Sequence, residues 1–128
     1  LKDKSHEEWT YRKYFMTQNY LFPCNFVQVM TDHVYVHSII PTGPGTCVFK
    51  CMMLISEPAN TEKAQQYWEK NYNVVKEVFN EDFEIGEAIQ EGLSTNANES
   101  FVFGKYECGL HWGQKAIDDA LEGRLKAS

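Results

Sequence analysis

No apolar run in this chain approaches the length of a membrane span, and no positively charged, then apolar, leader opens it. A cytoplasmic protein without a membrane partner is therefore expected. Basic residues are also scarce: 12 Lys and Arg stand against 18 Asp and Glu, for a net charge of −6. Phosphate backbones are held by a surplus of Lys and Arg on one face, so a nucleic-acid partner is not expected either. Cysteine is limited to Cys24, Cys47, Cys51 and Cys108, with no Cys-x-x-Cys pair and no Cys/His spacing of a zinc or iron–sulfur site. Reduced thiols fit that pattern. Cys47 and Cys51, four apart in an expected strand, share a face and read as packing residues rather than redox groups. No Gly-x-Ser-x-Gly and no P-loop occurs, and Gly43-Pro-Gly45 lacks the context of a dinucleotide site, so its glycines read as loop formers.

What remains is an ordinary globular composition, 43% hydrophobic and 14% aromatic over 128 residues. By length this is one domain, able to bury roughly two thirds of its unfolded surface without staples. The chain begins at Leu1 without a methionine, which suggests a piece of something longer. Residues 1–20 read as an N-terminal arm or short helix. Three strands follow: Phe26 to Thr31, His33 to Ile40, and Cys47 to Ile55, the last two around the Pro41-Thr-Gly-Pro-Gly-Thr46 loop. Asn60 or Thr61 is placed to cap a helix through Trp68 and Tyr72. That helix either runs unbroken to Leu93 or restarts at Asn80. Thr95 to Glu99 is a loop, Ser100 to Glu107 a weakly alternating last strand, and Leu110 to Leu125 a closing helix. Strands first and helices after predict an α+β fold with helices on one face of an antiparallel sheet.

The stretch from Val74 to Gln90 carries an energetic oddity. On a helical wheel at about 100° per residue, Val75, Val78, Phe79, Ile85, Ile89 and Leu93 lie within roughly 60° of Asp82. A carboxylate therefore sits in the middle of the apolar stripe, while Lys76, Glu77, Glu84, Glu87 and Glu91 project from the other side. A buried carboxylate requires a proton, a partner or a metal. The bland reading is an acid in the first turn of a helix restarted at Asn80, stabilised by the helix dipole. Gly86, one turn on, favours the functional one: glycine costs about 1 kcal/mol inside a helix, and its missing side chain clears space beside the carboxylate.

His33 and His37 are four apart in a strand and so share a face with Tyr35. A metal pair is conceivable, but polar positions on an exposed sheet face produce the same pattern, and that reading is preferred. His111 beside Trp112 reads equally as a core or interface residue or a ligand.

The segment Glu81-Asp82-Phe-Glu-Ile-Gly-Glu87-Ala-Ile-Gln90-Glu-Gly92-Leu93 resembles the C-terminal catalytic domain of Rieske non-haem iron ring-hydroxylating oxygenase α subunits. Their helix carries Glu-Asp, then Glu and Gln five and eight residues after the Asp, the spacing of Asp82, Glu87 and Gln90. The Ile40-Pro41-Thr-Gly43-Pro44 loop and the Glu107 to His111 segment are also similar, so the likeness runs from about Tyr20 to the C-terminus. It implies an incomplete, START-like helix-grip fold, an antiparallel sheet packed on a long helix plus a C-terminal helix, with residues 1–128 forming the C-terminal part of the catalytic domain. It also implies Asp82 as the carboxylate ligand of a mononuclear Fe(II), with Val75, Val78 and Phe79 lining a pocket for a small organic substrate. The family's iron is held by two His and one carboxylate, which leaves positions open for dioxygen. Its electrons come from a Rieske 2Fe-2S cluster in a neighbouring subunit of a trimer, fed by a reductase or ferredoxin.

The Rieske motifs Cys-x-His and Cys-x-x-His are absent from this chain, as is the Asp-x-x-His-x-x-x-x-His segment; His33 and His37 do not match that spacing. No catalytic residue is assigned, and the isolated chain is expected to bind iron weakly or not at all. A stand-alone helix-grip ligand-binding module and a structural or oligomerisation subunit are the alternatives.

Overall fold

The structure is a computed structural model and describes residues 3–97 and 100–125. Two compact units divide it: one holds the residues up to Ser56 together with those from Phe103 onward, the other is Glu57–Val102.

The first unit opens with a 3-10 turn at His6–Glu8 and a short helix α1 (Tyr11–Tyr14). Four strands follow in chain order: β1 (Thr17–Leu21), β2 (Asn25–Val29), β3 (His33–Gly43) and β4 (Thr46–Ile55). They pair as an antiparallel meander, β1-β2-β3-β4. β1 was not expected from the arm. Its sequence, Thr-Gln-Asn-Tyr-Leu, shows no apolar alternation and is mostly exposed, so its extended form comes from pairing with β2 (Tyr20↔Phe26, Gln18↔Gln28) rather than from its own pattern. The β3–β4 hairpin turns at Pro44-Gly45, with a register irregularity between Pro41 and Gly43. Gly43 makes a close approach there: a side-chain carbon would lie 3.0 Å from Thr46 Oγ1, which is itself hydrogen-bonded to Thr42 Oγ1 at 2.9 Å.

Residues 100–107 do not form the expected last strand. Glu107 turns the segment back on itself instead, its carboxylate accepting the backbone N–H of Gly104 while its own N–H donates to the Gly104 carbonyl at 3.0 Å. A local side-chain bond of this kind competes directly with a sheet ladder. The closing helix α3 spans Cys108–Leu121, shorter than expected, because Gly123 adopts φ +68° and ends it with a hydrogen bond to Ala120. Gly113 faces β1: a side-chain carbon there would stand 3.4 Å from the Tyr20 ring.

The second unit is dominated by α2 (Glu62–Ser94), 33 residues and about 50 Å long. Thr61 caps it by accepting the Ala64 N–H at 3.2 Å, and Glu62 sits in the first turn. The helix passes Asn80 without a break, which decides the open question of a restart. Ala64, Trp68, Asn71, Val75 and Phe79 form its half-buried stripe, at helical spacing. A four-stranded antiparallel sheet with one long helix and a C-terminal helix comprises the elements of an α+β, helix-grip-like fold.

Candidate functional site

Asp82 lies on α2 about two thirds of the way along, in line with the half-buried stripe of Ala64, Asn71 and Val75. The residue itself is exposed. Of the residues expected to line a pocket with it, Val75 and Phe79 are half-buried and Val78 is exposed, and Phe79 stacks on Phe83 with ring centroids 5.9 Å apart. Gly86 leaves open space: a side-chain carbon built there meets nothing within 4 Å. Asp82 and Gly86 are both exposed, so this space opens to solvent, and the buried carboxylate expected from the helical pattern is not what α2 shows.

The groove of this unit lies further along the helix. Glu84, Ile85, Ala88, Ile89, Gly92 and Leu93 line it with Phe101, enclosing about 560 Å³, and it is open and mostly apolar. Asp82, Val75, Val78 and Phe79 do not line it.

On β3 the structure corrects the reading of an exposed polar face. His33, Tyr35 and His37 are the buried residues among those described, and Tyr35 and His37 are 1% and 0% exposed. They share one face, as the period of two requires, with Phe26 of β2 and with Phe49, Cys51, Met53 and Ile55 of β4. His37 stacks on Phe26 and on Phe49, with ring centroids 4.6 and 5.5 Å away. Burial lowers its pKa and so favours the neutral imidazole. His33 meets Tyr35 edge-on at 4.7 Å, and its Nδ1–H donates to Asp32 Oδ1 at 2.6 Å. Cys51, cross-strand from His37, has its thiol pKa raised by burial, which fits a packing role. Cys47 is exposed.

Two polar histidines four apart resemble an exposed sheet face, and Val34 and Val36 put the β-branched residues on the opposite face, so nothing along β3 alone marks this one as buried. The signal that could have corrected that reading is the row of aromatic and sulfur side chains on the neighbouring strands, in register with His37.

His33 and His37 do not chelate one ion together, since two strand repeats hold their Cα atoms roughly 13 Å apart. Among the described residues no group of three or more His, Cys, Asp and Glu side chains could hold a metal ion. Asp82 is a single carboxylate, and the residues present do not by themselves make a mononuclear iron site. No helix among the described residues is long and apolar enough to cross a membrane.

The chain is similar, at 32% identity over 105 residues, to an uncharacterized protein of Methanocaldococcus jannaschii. The match covers 78% of this chain and 34% of that relative, so the chain spans about a third of the relative's length. No solved structure matches. The family model for the ring hydroxylating alpha subunit (catalytic domain) matches residues 2–123, nearly the whole chain. The chain therefore belongs to the catalytic-domain family of ring-hydroxylating α subunits.

Proposed function

We propose that this chain is part of a ring-hydroxylating oxygenase α subunit whose parent protein uses dioxygen to hydroxylate or demethylate a small organic substrate at a mononuclear non-haem iron. Membership of the family carries this reading. Asp82 supports it, because it falls in line with the half-buried stripe of α2 and has Glu87 and Gln90 at the family's spacing.

In this proposal Asp82 is one third of an iron site and the two histidine ligands come from outside this chain. Val75, Val78 and Phe79, on or beside its face one or two turns earlier, contribute apolar wall to the substrate pocket. The Rieske cluster and the reductase or ferredoxin that feeds it belong to the parent assembly, a trimer in this family. The isolated chain is inactive and retains iron poorly, since a lone carboxylate offers one of three ligands.

Reading the coding sequence upstream of Leu1 tests the proposal. In-frame Cys-x-His, Cys-x-x-His and Asp-x-x-His-x-x-x-x-His segments are expected. A start codon at that point would overturn the proposal in favour of a stand-alone helix-grip module that binds a small ligand without redox chemistry.

A further inference from the structure

The hydrogen bonds of β3 fix which backbone groups of β4 face outward. Met30 N–H donates to the His33 carbonyl at 2.9 Å and Ile39 N–H to the Cys24 carbonyl at 2.8 Å, so the odd-numbered residues of β3 bond toward β2. Backbone groups alternate sides along a strand, so Val34, Val36 and Ser38 bond toward β4, where they stand opposite Leu54, Met52 and Lys50. Those three β4 residues turn toward β3. Cys51, Met53 and Ile55, which alternate with them, therefore turn N–H and C=O to the outer side. β4 is the last strand in the sheet order, and no strand among the described residues takes that side.

The two edges of the sheet differ in chemistry. β1 is five residues, Thr-Gln-Asn-Tyr-Leu, mostly polar and exposed, the short form that keeps an edge from pairing further. β4 is ten residues, Thr-Cys-Val-Phe-Lys-Cys-Met-Met-Leu-Ile, with no Pro, no Gly and Lys50 as its single charge. Its two faces are both apolar: Val48, Met52 and Leu54 on one, Phe49, Cys51, Met53 and Ile55 on the other. Apart from Lys50, this is the composition of an interior strand standing at an edge. Residues 100–107 offer strand-like sequence within the chain, but Glu107 and Gly104 hold that segment in a turn.

We propose that β4 is an interior strand of a larger sheet, its outer side paired antiparallel with an apolar strand from the part of the parent protein that precedes this chain. The proposal rests on the longer parent proposed above. This chain spans about a third of the matched relative's length, which leaves ample chain for a further strand. Because Val48, Met52 and Leu54 bond toward β3, they meet the incoming strand in non-hydrogen-bonded pairs, where side chains stand closest. Apolar, β-branched side chains fit opposite them.

Hydrogen exchange followed by mass spectrometry, on the 128-residue chain and on the longer protein, tests the pairing. In the 128-residue chain the β4 peptide is expected to exchange in two phases, with the amides of Cys51, Met53 and Ile55 in the fast one. In the longer protein that phase is expected to slow by about tenfold or more. A fast phase that persists in the longer protein would overturn the pairing and leave the oxygenase reading standing. Cys51, Met53 and Ile55 amides already slow in the 128-residue chain would mean that the outer side of β4 is taken without the preceding strand, and would overturn the proposal as well. A start codon at Leu1 defeats the longer parent by a separate measurement, and this proposal with it.

Discussion

His37 of β3 stacks on Phe26 of β2 across their strand pair, ring centroids 4.6 Å apart and planes inclined by 26°. The imidazole is fully buried, and desolvation pushes its pKa below the ordinary value. In the window below about pH 6.5 the unfolded chain takes up a proton that folded His37 resists, so stability is expected to fall as pH drops from 7 toward 5. His37→Phe keeps a ring between Phe26 and Phe49 and is expected to flatten that slope. Urea unfolding at pH 7, 6 and 5 measures it, and an unchanged slope in the variant would assign the effect to another group.

Tyr35, 1% exposed and flanked by His33 and His37, occupies the middle of the buried row. Tyr35→Ala removes a large buried ring and is expected to cost about 3–5 kcal/mol, a large part of the stability of a domain this size. The midpoint and slope of urea unfolding report the loss.

Asp119 accepts hydrogen bonds from Lys115 at 2.6 Å and from Arg124 at 2.8 Å, which hold its carboxyl below the usual range. Its contribution is present above the ordinary aspartate pKa and disappears as pH falls through the lowered one. Asp119→Asn is therefore expected to reduce the helicity of α3 at pH 7, with the difference from the parent chain vanishing in strong acid. Circular dichroism between pH 2 and 7 follows it.

Gly86 has room for a side chain on α2. Gly86→Ala is expected to stabilise the isolated chain by about 0.5–1 kcal/mol, because it removes backbone freedom from the unfolded state without a clash. Thermal unfolding of the parent chain and the variant measures the gain.

Asp82→Ala is expected to leave the small iron content of the isolated chain unchanged and to abolish iron retention in a longer protein that supplies the two histidines. Anaerobic loading followed by metal analysis on both proteins checks this. Tight stoichiometric iron in the 128-residue chain would contradict the assignment of Asp82 as one ligand of three.

Sequence by itself was sufficient where structure is local. The apolar period from Val75 to Leu93 and a cap at Asn60 or Thr61 indicated a helix, because a helix satisfies its backbone within the segment, while its unbroken course past Asn80 was left to the structure. The β-branched runs identified β2, β3 and β4, and the Glu81 to Leu93 pattern was enough to indicate the family. Tertiary structure decided the rest. β1 exists because β2 offers its edge, and residues 100–107 are no strand because Glu107 bonds to Gly104 first. Above all, His33 and His37 are buried because Phe26, Phe49 and Met53 lie on their face in neighbouring strands, a relation set by register across the sheet that alternation along one strand does not reveal.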